Sequence, residues 1–254
     1  MMHTIAKRTI VLCIITHFFS WSMLPTKYQE ISSKTMQLAD QIGKNNDLLR
    51  AILSDYQTHH TTDYEIERSI RTLKGIDHNM DYLASDKTIG STAVVLPSNL
   101  PLYSLVIFGL IPSFMSQEVS IRPNTLLQEK NIVPRIAEVL NLNSTFSNVK
   151  IVNVKEHSEF KPYFTQADLI IFTGNPTHAE KLSETMKQGS VLVVNGSGHN
   201  PVIVAENADI NEAVKKTVDL KSFNGGQDCA GPDAILVHAS TSEEFIEKFQ
   251  ILQN

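Results

Sequence analysis

The stretch Phe223-Asn224-Gly225-Gly226-Gln227-Asp228-Cys229-Ala230 places a lone cysteine behind paired glycines. A thiol attacks carbon as its thiolate, and a close-packed polar turn or a helix N-terminus holds such a group accessible and partly ionised. By residue type alone a single cysteine is more often a small buried apolar side chain than a nucleophile. Asp228 sets a negative charge beside the thiol and raises its pKa unless the carboxylate points away. The other cysteine, Cys13, is far off in sequence, and no CxxC pair signals a disulfide framework or a zinc site. Of the histidines, neither His59-His60 nor the scattered His157, His178 and His199 has the spacing of an HExxH ligand pair, so no metal is expected.

A nucleophile needs a scaffold. From Ser91 onward short β-branched runs alternate with helical stretches: 92–96, 119–121, 149–154, 169–172, 191–194 and finally 234–238. Such alternation predicts an α/β fold, a mostly parallel, Rossmann-like sheet flanked by helices, with ligands in the loops after the strands' carboxyl ends. Gly196 and Gly198 suit a tight strand-to-loop turn better than phosphate binding, because they follow the last inner strand rather than the first. Residues 28–83 read as helices, with Ile66, Ile70, Leu73 and Ile76 at helical spacing, a break at His59–Thr62, and Asp63 as the N-cap after it. Asp209, with Glu212 three residues on, predicts a capping box ahead of another helix, and a last helix covers 242–252.

Composition limits the partners. The 254 residues, 42% hydrophobic and 19% charged, are enough for one large domain or two small ones. The formal net charge of -5 is spread without blocks, which argues against nucleic acid as a partner. Lys7 and Arg8 precede an apolar run over 10–24 that is too short to span a bilayer and has the layout of a leader. The expected location is cytoplasmic, with export as the alternative if residues 1–27 are a signal segment.

Several of these stretches resemble the aldehyde dehydrogenase superfamily. Phe223, Asn224, Gly226, Gln227 and Cys229 match its Phe-x-Asn-x-Gly-Gln-x-Cys motif with one residue fewer between Phe and Asn. Leu96-Pro97-Ser98-Asn99-Leu100-Pro101 resembles its Pro-Trp-Asn-Phe-Pro loop, Phe172-Thr173-Gly174-Asn175 its Phe-Thr-Gly-Ser turn, and Gly198-His199-Asn200-Pro201 its Gly-Lys-Ser-Pro turn. The resemblance implies Cys229 as nucleophile and Asn99 as the amide that binds the oxyanion. It places Pro97, Arg122, Gly174 and Asn175 around NAD or NADP. It divides the chain into a leader (1–27), a dinucleotide-binding domain with N-terminal helices (28–200) and the start of a catalytic domain (201–254), about half of a family member.

Departures from the pattern carry their own implications. Asn195 stands where hydrolytic members have the glutamate that activates water, and no lysine lies near Phe108 and Gly109; both lean toward the branch that transfers acyl groups to a thiol. Arg122, with Thr125 nearby, replaces the family's ribose-binding lysine and its companion acid, which tilts the preference toward a 2'-phosphate. The turn Val154-Lys155-Glu156-His157-Ser158 has no glycine to lie against a pyrophosphate. The expected function is NAD(P)-dependent oxidoreduction of an aldehyde or acyl thioester through a cysteine adduct. The alternative is an inactive remnant or half-protein that binds a nucleotide, a partner chain or further copies of itself.

Overall fold

The computed structural model describes residues 26–85, 87–154, 156–196 and 198–253. The proposed leader, with Lys7, Arg8, Cys13 and the apolar run, therefore lies outside the described residues. Among those described, no helix is long and apolar enough to cross a membrane.

Five strands form one parallel sheet in the order β3-β2-β1-β4-β5: β1 Ile89–Val95, β2 Ser116–Arg122, β3 Val149–Ile151, β4 Leu169–Thr173 and β5 Val191–Asn195. The alternation of side chains along a strand explains why both faces of β1 are apolar. Val94 points into a large core built with Val119, Ile121, Ile171 and the helices 26–44, Asn46–Ser54, His59–Lys74 and Ile132–Val139. Its neighbours Ala93 and Val95 point the other way, onto Phe160 and Phe164 of the helix His157–Gln166. The expected parallel, helix-flanked sheet is thus the one observed. At its edge, β5 leaves Val191, Val193 and Val194 exposed.

A second, two-stranded parallel sheet pairs β6 (Pro201–Val204) with β7 (Ala234–Val237). The sequence reading missed β6, because four residues opening on proline carry little periodicity. One face packs on the helices Ile210–Ser222 and Ser242–Gln253 through Val204, Val214 and Phe245. On the other face Ile203 and Leu236, opposite each other in register, are 74% and 57% exposed.

Three local expectations are corrected. The break between the N-terminal helices falls before His59, and Thr58 caps the helix His59–Lys74 by accepting the Thr61 N–H at 3.2 Å. Asp63 is inside that helix, paired with Arg50 at 2.6 Å; the upstream Thr58 already serves the first turn. Asp209 does cap its helix, accepting the Glu212 N–H at 3.1 Å, but the Glu212 carboxylate turns to Lys216 at 2.7 Å instead of closing a capping box.

Candidate active site

The sheet order reverses between β1 and β4, so the loops after these two strands splay apart and open a crevice at their carboxyl ends. Pro97–Leu100 follow β1, Arg122 ends β2, and Gly174–Asn175 follow β4. Two clefts lie at this edge.

One cleft, of about 570 Å³, brings Ser98 and Asn99 together with Asn224, Gly225 and Gln227 of the cysteine stretch, more than a hundred residues away in sequence. The Asn99 loop is tightly held. Leu100, buried, adopts a left-handed φ of 48°, an unfavourable conformation for a branched side chain, and Pro101 then opens a helical segment, Pro101–Ser104. Ser104 Oγ donates to the Asn99 carbonyl at 3.2 Å, and the Tyr56 hydroxyl pairs with Ser98.

The cysteine stretch turns on three consecutive left-handed residues, Asn224, Gly225 and Gly226, with φ of 50°, 62° and 77°. Asparagine and glycine tolerate this region where other residues do not. Gly225 has open space around it, so Gly225→Ala should cost about 1–2 kcal/mol through backbone strain alone. Urea unfolding showing no loss would refute that conformation.

Cys229 is exposed and forms no disulfide with another described residue. Asn200 Nδ2 donates to its carbonyl at 2.7 Å, and Asp233 accepts the Asn200 N–H at 3.1 Å while pairing with His199 Nδ1 at 2.8 Å. A Cβ on Gly198 would run into the same Cys229 carbonyl. That glycine therefore permits a close approach to the cysteine segment. The Asp228 carboxylate accepts the Ala230 N–H at 3.2 Å, which occupies one of its oxygens with the turn's own backbone.

The second cleft, of about 670 Å³, contains Arg122, Thr125, Thr173, Gly174 and Asn175. Pro97 does not line it, although it belongs to the adjoining loop. Arg122 is 1% exposed, which excludes a solvated strand-end charge; burial pushes its guanidinium pKa down. Asn175 caps the helix Pro176–Ser183, its side-chain oxygen accepting the Thr177 N–H at 2.8 Å. Lys161 and Lys181 also reach this cleft, and among the described residues no carboxylate lines it. Neither lysine was singled out from the sequence, where each sits on an ordinary polar helix face.

Asn195 ends β5 opposite Thr173, which lines the second cleft, and its carbonyl accepts the Gly174 N–H at 3.0 Å. Asn195 Nδ2 and Thr173 Oγ1 are sealed from solvent without a hydrogen-bond partner. Buried polar atoms are rarely left so. A cleft lined by Arg122, Lys161 and Lys181 rather than by carboxylates fits a phosphate-bearing nucleotide.

Comparison with known proteins gives the lineage. Residues 20–252 match the model of the aldehyde dehydrogenase family. The chain belongs to that family. It is 26% identical over 203 residues to 4,4'-diapolycopene-4,4'-dial dehydrogenase of Cytobacillus firmus, a match covering 76% of this chain and 42% of that protein. Betaine aldehyde dehydrogenase from Staphylococcus aureus superposes with a TM-score of 0.75 at 16% identity, over 89% of this chain and 49% of that one. Glyceraldehyde-3-phosphate dehydrogenase GapN from Methanocaldococcus jannaschii, solved with NADP, gives 0.71 at 20% identity, over 91% and 55%. The chain thus spans about half the length of these aldehyde dehydrogenases.

Proposed function

We propose that this chain carries the nucleotide-binding half and the nucleophile of an NAD(P)-dependent oxidoreductase acting on an aldehyde or, in the reverse sense, an acyl thioester. The observation that carries the reading is the shared cleft of Ser98 and Asn99 with Asn224, Gly225 and Gln227. In this proposal the Cys229 thiolate attacks the carbonyl carbon, and the Asn99 amide with a backbone N–H holds the resulting oxyanion. Arg122 takes the adenosine ribose or its 2'-phosphate, and Gly174 and Asn175, beside the Pro97 loop, hold the nicotinamide nucleotide. That nucleotide, when bound, supplies the hydride exchange. Asn195 cannot take a proton from water, so the acyl group that hydride loss leaves on Cys229 passes to a thiol, whose sulfur bonds to the acyl carbon as the Cys229 thiolate departs, as in the acyl-transferring branch. The exposed pair Ile203 and Leu236 favours a second element of the reading: further polypeptide seats there, because parallel sheets are normally covered on both faces.

Titration calorimetry tests the nucleotide site. NADP or NAD should bind, and either should slow iodoacetamide labelling of Cys229. Absence of binding by both at millimolar concentration overturns the reading.

A further inference from the structure

Glu65 is fully buried in the middle of the helix His59–Lys74, and the mechanism above makes no use of it. Its Oε1 accepts the Tyr103 N–H at 2.9 Å, the Leu102 N–H also reaches the carboxylate, and Gln57 Nε2 donates to Oε2. These donors adjoin the cleft that contains Asn99. Leu102 and Tyr103 belong to the turn that starts directly after Asn99 and left-handed Leu100, while Gln57 lines the cleft together with Asn99. Residues one and three positions away on the same helix complete the grip. The Arg68 guanidinium lies 4.1 Å from the Tyr103 ring centroid, and Tyr64 packs edge-on against Phe223 of the cysteine stretch, with ring centroids 4.9 Å apart. One helix turn thus touches both loops of the candidate site.

We propose that Glu65 is a positioning residue: through the Leu102 and Tyr103 N–H groups it holds the strained Asn99 loop where its amide meets the Cys229 adduct, and the helix that carries it sets the cysteine stretch in register through Tyr64 and Phe223. The first N–H groups of a helical turn have no partner within it, and a buried carboxylate that accepts that of Tyr103 fixes the turn's direction. Displacing a reacting group by even about 1 Å can cost two orders of magnitude in rate. The inference rests on the roles given above to Cys229 and Asn99.

The test compares two reactions of Cys229. A p-nitrophenyl ester acylates it: Sγ bonds to the ester carbonyl carbon, the C–O bond breaks and p-nitrophenolate departs with the electron pair, the thiol proton passing to solvent. That path forms an oxyanion. Iodoacetamide alkylates the same sulfur with loss of iodide and forms none. Glu65→Ala should slow acylation about 10- to 100-fold and leave alkylation nearly unchanged. Glu65→Met, which fills the space without an acceptor, should do the same and guards against a cavity that prevents folding. Glu65→Gln, keeping an acceptor oxygen, should recover most of the rate. Adding Asn99→Ala to Glu65→Ala should slow acylation little beyond Asn99→Ala alone, because the displaced amide contributes nothing to lose. Unchanged acylation in both Glu65→Ala and Glu65→Met, parallel loss of alkylation, or independent multiplying effects with Asn99→Ala would each overturn the proposal. Wild-type protein that alkylates but never acylates would instead remove the roles of Cys229 and Asn99, and this inference with them.

Discussion

Asn99→Ala is expected to slow acylation of Cys229 by an activated ester about 10²- to 10³-fold, the usual loss when one oxyanion donor is removed. The loop that presents Asn99 is anchored at Ser98, at the Asn99 carbonyl and at the following helical turn, so truncating the side chain should leave the backbone in place. Cys229→Ala should abolish the acylation burst outright. Steady oxidation of simple aldehydes by these 254 residues alone should be slight in comparison, since Asn195 cannot activate water and β5, which it ends, leaves Val191, Val193 and Val194 facing solvent. Asn195→Glu should not restore it. Sustained turnover that disappears in Cys229→Ala would show that the residues present are sufficient.

The second large effect is one of pH. Burial pushes the Glu65 carboxyl up to about 7, against the opposing pull of the hydrogen bonds from Tyr103, Gln57 and Leu102. Unfolded, the same group titrates near the ordinary value of 4.5. Between those values the native state holds a proton that the unfolded state has released, so the slope of unfolding free energy with pH is negative. The contribution of the raised pKa is complete below the unfolded value and is lost as pH rises through about 7. At 1.36 kcal/mol per pK unit the swing is about 3 kcal/mol. Urea unfolding of wild type and Glu65→Gln should therefore show the difference between them shifting by about that amount, toward the variant, from about pH 4.5 to about pH 8. A pH-independent difference would mean that Glu65 has the same pKa in the folded and unfolded chain.

Periodicity and local motifs were enough to read the parallel sheet, the helices around it and the family. Val94 and its neighbours alternate because any strand buried on both faces must, and the asparagine, glycine and cysteine stretches carry the family resemblance in contiguous residues. Asp209 as a cap was equally local. The sequence could not show which donors a helix start would find: Thr58 displaced Asp63, and Lys216 drew Glu212 out of its expected box, each by competition between near neighbours in the chain. Nor could it mark Glu65, which on paper is one more charge on a polar helix and in the fold is buried against the turn after Asn99. Lys161 and Lys181 likewise gain meaning only at a cleft formed by separate strands and helices. Residue type and spacing dictate local conformation over a few residues. Burial, and with it the pKa of Glu65 or the partners of Arg122, is set by segments tens to hundreds of residues apart, and only tertiary packing brings those together.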